Sequence, residues 1–104
     1  MNISINPFEH TRLAKRNIGQ VQKAKVSAIT DKKLRKKLLP MQSSLDYMTE
    51  HYNINFYLYY LPISKKCFLS CQKGKKSTLT EDISAKDENS IIARKIYKAA
   101  SEVL

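Results

Sequence analysis

The sequence predicts an α+β fold: basic helices first, then a small two- or three-stranded antiparallel sheet, then a C-terminal helix packed on it. Three observations carry this. Apolar residues recur at helical spacing up to about residue 52, they alternate along an aromatic-rich stretch beyond it, and helical spacing returns after about residue 87. At 104 residues the chain suits a single domain over 1–104. The change of period near residue 53 separates a helical half (9–52) from a meander with its closing helix (53–104). Neither half has enough core to stand alone.

Residues 1–8 read as an extended lead-in containing Pro7. Over 9–29 the residues Ala14, Ile18, Val21, Ala24, Ala28 and Ile29 collect on one helical face, with Arg12, Arg16, Lys23 and Lys25 opposite. Gly19 weakens this helix by up to ~1 kcal/mol relative to Ala. Thr30 and Asp31 can cap a new start. The following KKLRKKLL sets Leu34, Leu38 and Leu39 against a basic face, and Pro40 ends or kinks it. Residues 31–40 read equally as a second short helix or as a continuation of the first. Met41, Leu45, Met48 and Tyr52 then share one face of a helix over 41–51, with Ser43 or Ser44 as its cap.

NINFYLYYL reads as a strand ended by Pro62, with ISKK as the turn, KCFLSCQ as a second strand, KGKK as a second turn and 77–80 as a short third strand. Alternation puts Ile54, Phe56, Leu58 and Tyr60 toward the helices together with Cys67, Leu69 and Cys71. It turns Tyr57, Tyr59 and Phe68 outward. Ser84 or Asp87 caps a last helix over about 87–103. Ile92, Ala93, Ile96, Ala99, Ala100 and Val103 form its apolar face, opposite Arg94, Lys95 and Lys98.

Charge points to the partner class. Lys and Arg number 19 against 9 Asp and Glu, a formal +10, and such an excess favours a polyanion: nucleic acid first, an acidic protein second. Arg12, Arg16, Lys23, Lys25, Lys32, Lys33, Arg35, Lys36 and Lys37 form a cationic stripe on the helical half. Such residues neutralise phosphates, although a Lys-rich helix face is more often simply solvated. In the sheet, Tyr57, Tyr59 and Phe68, edged by Lys65, Lys66, Lys73, Lys75 and Lys76, have the composition of a base-stacking platform. Cross-strand aromatic pairing that stabilises the sheet is the competing explanation. Gly74 between lysines can bring the backbone close to a phosphate. The expected function is that of a small intracellular nucleic-acid-binding protein, accessory or regulatory. A protein-interaction module, such as an inhibitor or adaptor for an acidic partner, is the alternative.

A meander, a GKK turn and the Ala-rich IARKIYKAA resemble, over about residues 52–104, the layout of the integrase-arm type of DNA-binding module. Those modules usually start the second strand with Trp or a Gly-rich segment, where this chain has Lys65, Lys66 and Cys67. The resemblance implies that Lys and Tyr on the sheet face a DNA groove.

Other classes are weakly marked. No Gly-rich phosphate loop or catalytic triad is evident, and no cofactor is expected. A small basic ribonuclease of the toxin type would draw on His10, Glu50 or His51. Cys67 and Cys71, on one face of a strand about 13 Å apart, are too distant for a disulfide and lack further metal ligands. Buried free thiols and a reducing, cytoplasmic location are expected, with no secretory leader and no membrane span. The hairpin edge could pair with a second copy.

Overall fold

The computed structural model describes residues 24–104. Its elements are helix α1 (Lys32–Leu38), helix α2 (Gln42–Tyr52), strands β1 (Asn55–Leu61), β2 (Lys66–Lys73) and β3 (Lys76–Leu79), and helix α3 (Asn89–Ser101). The strands form one antiparallel sheet in the order β1-β2-β3. The expected α+β architecture is therefore present.

The first departure is at 24–29. The expected helix over 9–29 does not extend through this segment; the rest of it lies outside the described residues. Ala24 and Lys25 are non-helical, and only Val26–Ala28 form a single 3-10 turn. Backbone groups here find partners outside any helix. Ala24 N–H donates to the Phe56 carbonyl at 2.6 Å, beside β1. The Gln42 side-chain amide accepts from Val26 N–H at 3.1 Å and donates to the Ala24 carbonyl at 3.3 Å. One side-chain amide thus does what a neighbouring strand would do for this segment.

Helix α1 is separate, which resolves the open alternative at 31–40. Asp31 is its N-cap, its carboxylate accepting from Leu34 N–H at 3.0 Å. Leu34 and Leu38, one turn apart, are both buried. Pro40 sits in the 3-10 turn Leu39–Met41, where its missing N–H is not needed, and α2 follows at once. Met41 takes the N-cap position of α2 without a side-chain bond, so neither Ser43 nor Ser44 caps it. The helix stops at Asn53, which is left-handed at φ 58°; its N–H and that of Ile54 both reach the Met48 carbonyl.

The strand phase is as expected on the inner face. Ile54, Phe56, Leu58, Cys67, Leu69 and Cys71 join the helix residues Leu34, Leu45, Ile92 and Ile96 in one core, with Tyr60 packed against it. Beyond β3 the chain keeps pairing with β2. Thr80 N–H donates to the Leu69 carbonyl while its buried hydroxyl accepts from Leu69 N–H, and Ile83 exchanges two backbone bonds with Cys67. Helix α3 has Glu88 as its N-cap position, so neither Ser84 nor Asp87 caps it directly. Those two instead close a turn just before it, through Ser84 N–H to the Asp87 carboxylate. No buried side-chain polar atom among the described residues lacks a partner.

Candidate functional site

The outer sheet face is not an open platform. Tyr59 is 5% exposed and Phe68 1%, and with Leu61 they form a second apolar cluster; Tyr57 is half-buried against it. Tyr59 and Phe68 are register partners on β1 and β2, and their rings stack at 5.0 Å with 13° between planes. Tyr59 and Phe68 are thus enclosed, and the expectation that these two rings stand open for base stacking is corrected; Tyr57 keeps part of its surface exposed.

The sheet lysines do not edge one patch either. Lys65 and Lys66 lie at the β1–β2 turn, and Lys73, Lys75 and Lys76 at the β2–β3 turn. These turns cap opposite ends of β2, about 23 Å apart at the usual strand rise. Of the helical stripe, Arg12, Arg16 and Lys23 lie outside the described residues. Lys25, Lys32, Lys33 and Lys36 are exposed and Lys37 is half-exposed. Arg35 is tied back, its guanidinium donating to the Ile29 carbonyl at 3.0 Å.

An aromatic site lies instead at the Lys73 end. Tyr47, Tyr52 and Tyr97 are each about half exposed, at 52%, 44% and 46%. With Ser43, Ser44 and Met48 they line a 580 Å³ groove between α2 and α3. Tyr52 was expected on the core face of α2, but it falls in the last turn, where the chain swings into the left-handed Asn53 and the ring is left outside. His51 stacks on Tyr47 at 3.9 Å, and the Tyr52 ring meets Tyr47 edge-on at 6.1 Å. The Lys73 ammonium donates to the Tyr52 carbonyl at 2.7 Å, which fixes a cation at the C-terminal end of α2. The Lys76 ammonium reaches the backbone oxygen of Leu104 at 3.3 Å, beyond the end of α3. Gly74, left-handed at φ 60° with nothing within 4 Å of a Cβ built there, leaves the turn backbone bare between the lysines. Half-exposed rings and cations therefore share this end.

Sequence reasoning left Tyr47 and Tyr97 unassigned. The signal was their position: each falls off the apolar helical face, Tyr97 between Lys95 and Lys98 and Tyr47 between Asp46 and Met48.

Glu50 and His51 do not converge. His51 Nδ1 lies 3.1 Å from the Tyr47 carbonyl, to which its N–H tautomer donates, leaving Nε2 outward. Glu50 lines a different groove of 290 Å³, with Ala24, Asp46, Thr49 and Phe56. His10 lies outside the described residues. Both cysteines are free and buried, and burial pushes the Cys67 thiol up to about 12 and the Cys71 thiol up to about 11. Among the described residues no group of His, Cys, Asp and Glu has metal-site geometry, and no helix is long and apolar enough to cross a membrane.

The Lys65 end is chemically different. The carboxyl of Asp87 is drawn up by burial, but the Ser84 N–H and the Lys95 ammonium at 3.0 Å together hold it below its ordinary value, with Lys66 adding to the pull. The Tyr60 hydroxyl is pushed up, first by burial and then by the charge of Asp31.

No protein-family model matches the chain, and no match is found among curated proteins or solved structures.

Proposed function

We propose that this chain is a small nucleic-acid-binding protein, accessory or regulatory, and that single strands bind at the tyrosine end of its sheet. Bases stack in the groove of Tyr47, Tyr52 and Tyr97, and phosphates meet Lys73, Lys75 and Lys76. The observation that carries this reading is the meeting of half-exposed rings with a lysine turn at one end of the molecule. Ring faces tolerate any base, and ammonium groups follow the backbone, so the expected binding is weakly sequence-dependent. The run from His51 to Thr80 holds five lysines and no acidic residue, which suits the same partner. Two free, buried thiols fit a cytoplasmic location.

Fluorescence anisotropy with labelled fifteen-nucleotide dT and rU tests this. Three phosphate contacts give a slope of log K against log salt of about −2. No binding at low salt, or binding indifferent to Tyr52→Ala, overturns it.

A second reading rests on the groove itself. Tyr and Met are enriched at protein interfaces, and this groove is lined by three tyrosines and Met48. An inhibitor or adaptor would anchor an acidic partner there. Partners retained after nuclease treatment favour that reading, and partners lost favour nucleic acid.

A further inference from the structure

The β1–β2 turn breaks two ordinary rules at once. Ile63 is 98% exposed at its tip, where a polar residue costs nothing. Lys65 is left-handed at φ 57°, a conformation that favours Gly or Asn. The loop is nonetheless well defined. Lys65 N–H donates to the Leu61 carbonyl at 2.8 Å, Pro62 restricts the first turn residue, and the strands below are in continuous register from Leu61 and Lys66 downward. Local rules broken together without a packing gain mark a place where something else is being selected.

Two lysines adjoin the tip. Lys65 and Lys66 follow Ile63, are exposed, and make no ion pair among the described residues. Asp87 holds Lys95, while Asp82 is exposed next to Ile83, the bridge partner of Cys67.

We infer that this turn is a wedge for duplex nucleic acid: Ile63 enters between adjacent base pairs while Lys65 and Lys66 meet the flanking phosphates. Inserted apolar side chains unstack a base step and bend the duplex, and the apolar contact and phosphate contacts offset the unstacking. The tip offers a narrow apolar point, Ile63 after Pro62, beside Ser64 and two lysines, which suits a base step. A lipid surface is held by a broad apolar face instead. The inference shares the polyanion reading above but uses other residues, at the opposite end of β2.

The test uses the full chain and a twenty-base-pair duplex with 2-aminopurine at its centre and a donor–acceptor dye pair at its ends. Binding raises the 2-aminopurine emission and shortens the end-to-end distance. Ile63→Ser abolishes both and weakens duplex affinity about tenfold, the scale of one buried aliphatic side chain. Ile63→Leu retains them. Fifteen-nucleotide dT binding is unchanged in Ile63→Ser, so failure here and failure of the tyrosine site are read separately. The inference is overturned if the wild-type chain leaves 2-aminopurine emission unchanged, or if Ile63→Ser raises it as the wild type does. It is equally overturned if Ile63→Ser lowers partition onto phosphatidylserine vesicles and leaves duplex binding intact.

Discussion

The two ends of the sheet carry lysines on different chemistry. At the β2–β3 turn, Lys73 and Lys76 are fastened to the ends of α2 and α3, beside half-exposed tyrosines and a groove. At the β1–β2 turn, Lys65 and Lys66 follow the exposed Pro62 and Ile63 at the tip of a hairpin. The first end is concave with flat rings, and the second is a convex apolar point. Equal charge therefore does not imply equal partners: shape and the neighbouring side chains decide whether a base stacks on the protein or the protein enters between bases.

A rigid sheet must join the two ends, and Phe68 tests that most severely. Phe68→Ala removes one ring of the buried stack and is expected to cost ~3–5 kcal/mol in denaturant unfolding. A cost within about 0.5 kcal/mol would mean that the ring is a surface group. Next in size is Tyr52→Ala, which should weaken single-strand binding by ~1–3 kcal/mol in anisotropy titrations and leave duplex insertion unchanged. An equal loss for both ligands would merge the two ends into one site.

The two left-handed residues sharpen the contrast further. Asn53, at the tyrosine end, tolerates φ 58°, so Asn53→Gly should leave stability nearly unchanged. Lys65, at the tip, does not, so Lys65→Gly should stabilise by ~0.5–1 kcal/mol on chemical unfolding while weakening duplex binding. The smallest effect is in acid. Asp87 ionises below its ordinary value of 3.8, so just beneath that pH the unfolded chain binds a proton that the folded chain does not. The stability it lends is full above that value and is lost as pH falls through the lower folded one. Asp87→Asn should flatten the acid limb of a stability–pH curve, and an unchanged limb would remove Asp87 from the account of this end.

Much of the fold was legible because period and punctuation agree. Pro62 and Gly74 mark the turns, alternation from Ile54 to Tyr60 sets the inner face, and Ile92, Ile96 and Ala99 set the inner face of α3. The segment 24–29 misled because Ala24, Ala28 and Ile29 fit helical spacing, while the deciding partners, Gln42 and Phe56, are remote in sequence. Alternation also says which rings share a face but nothing of what that face meets, so Tyr59 and Phe68 read as exposed when they are buried. The candidate site was less legible. Tyr52 fits the apolar spacing of α2 but falls where the helix ends, and the division of the sheet lysines between two turns depends on strand register.

The two thiols have a practical consequence for anyone following these ends in solution. Cys67 and Cys71 are the chain's only cysteines, both enclosed and held protonated at neutral pH. A maleimide dye needs an accessible thiolate. Ser64→Cys, beside Ile63, would therefore take a single fluorophore on the native background with no cysteine removed, and a second preparation carrying Ser43→Cys would take one at the groove. The protein is in effect already prepared for site-specific labelling, one end at a time.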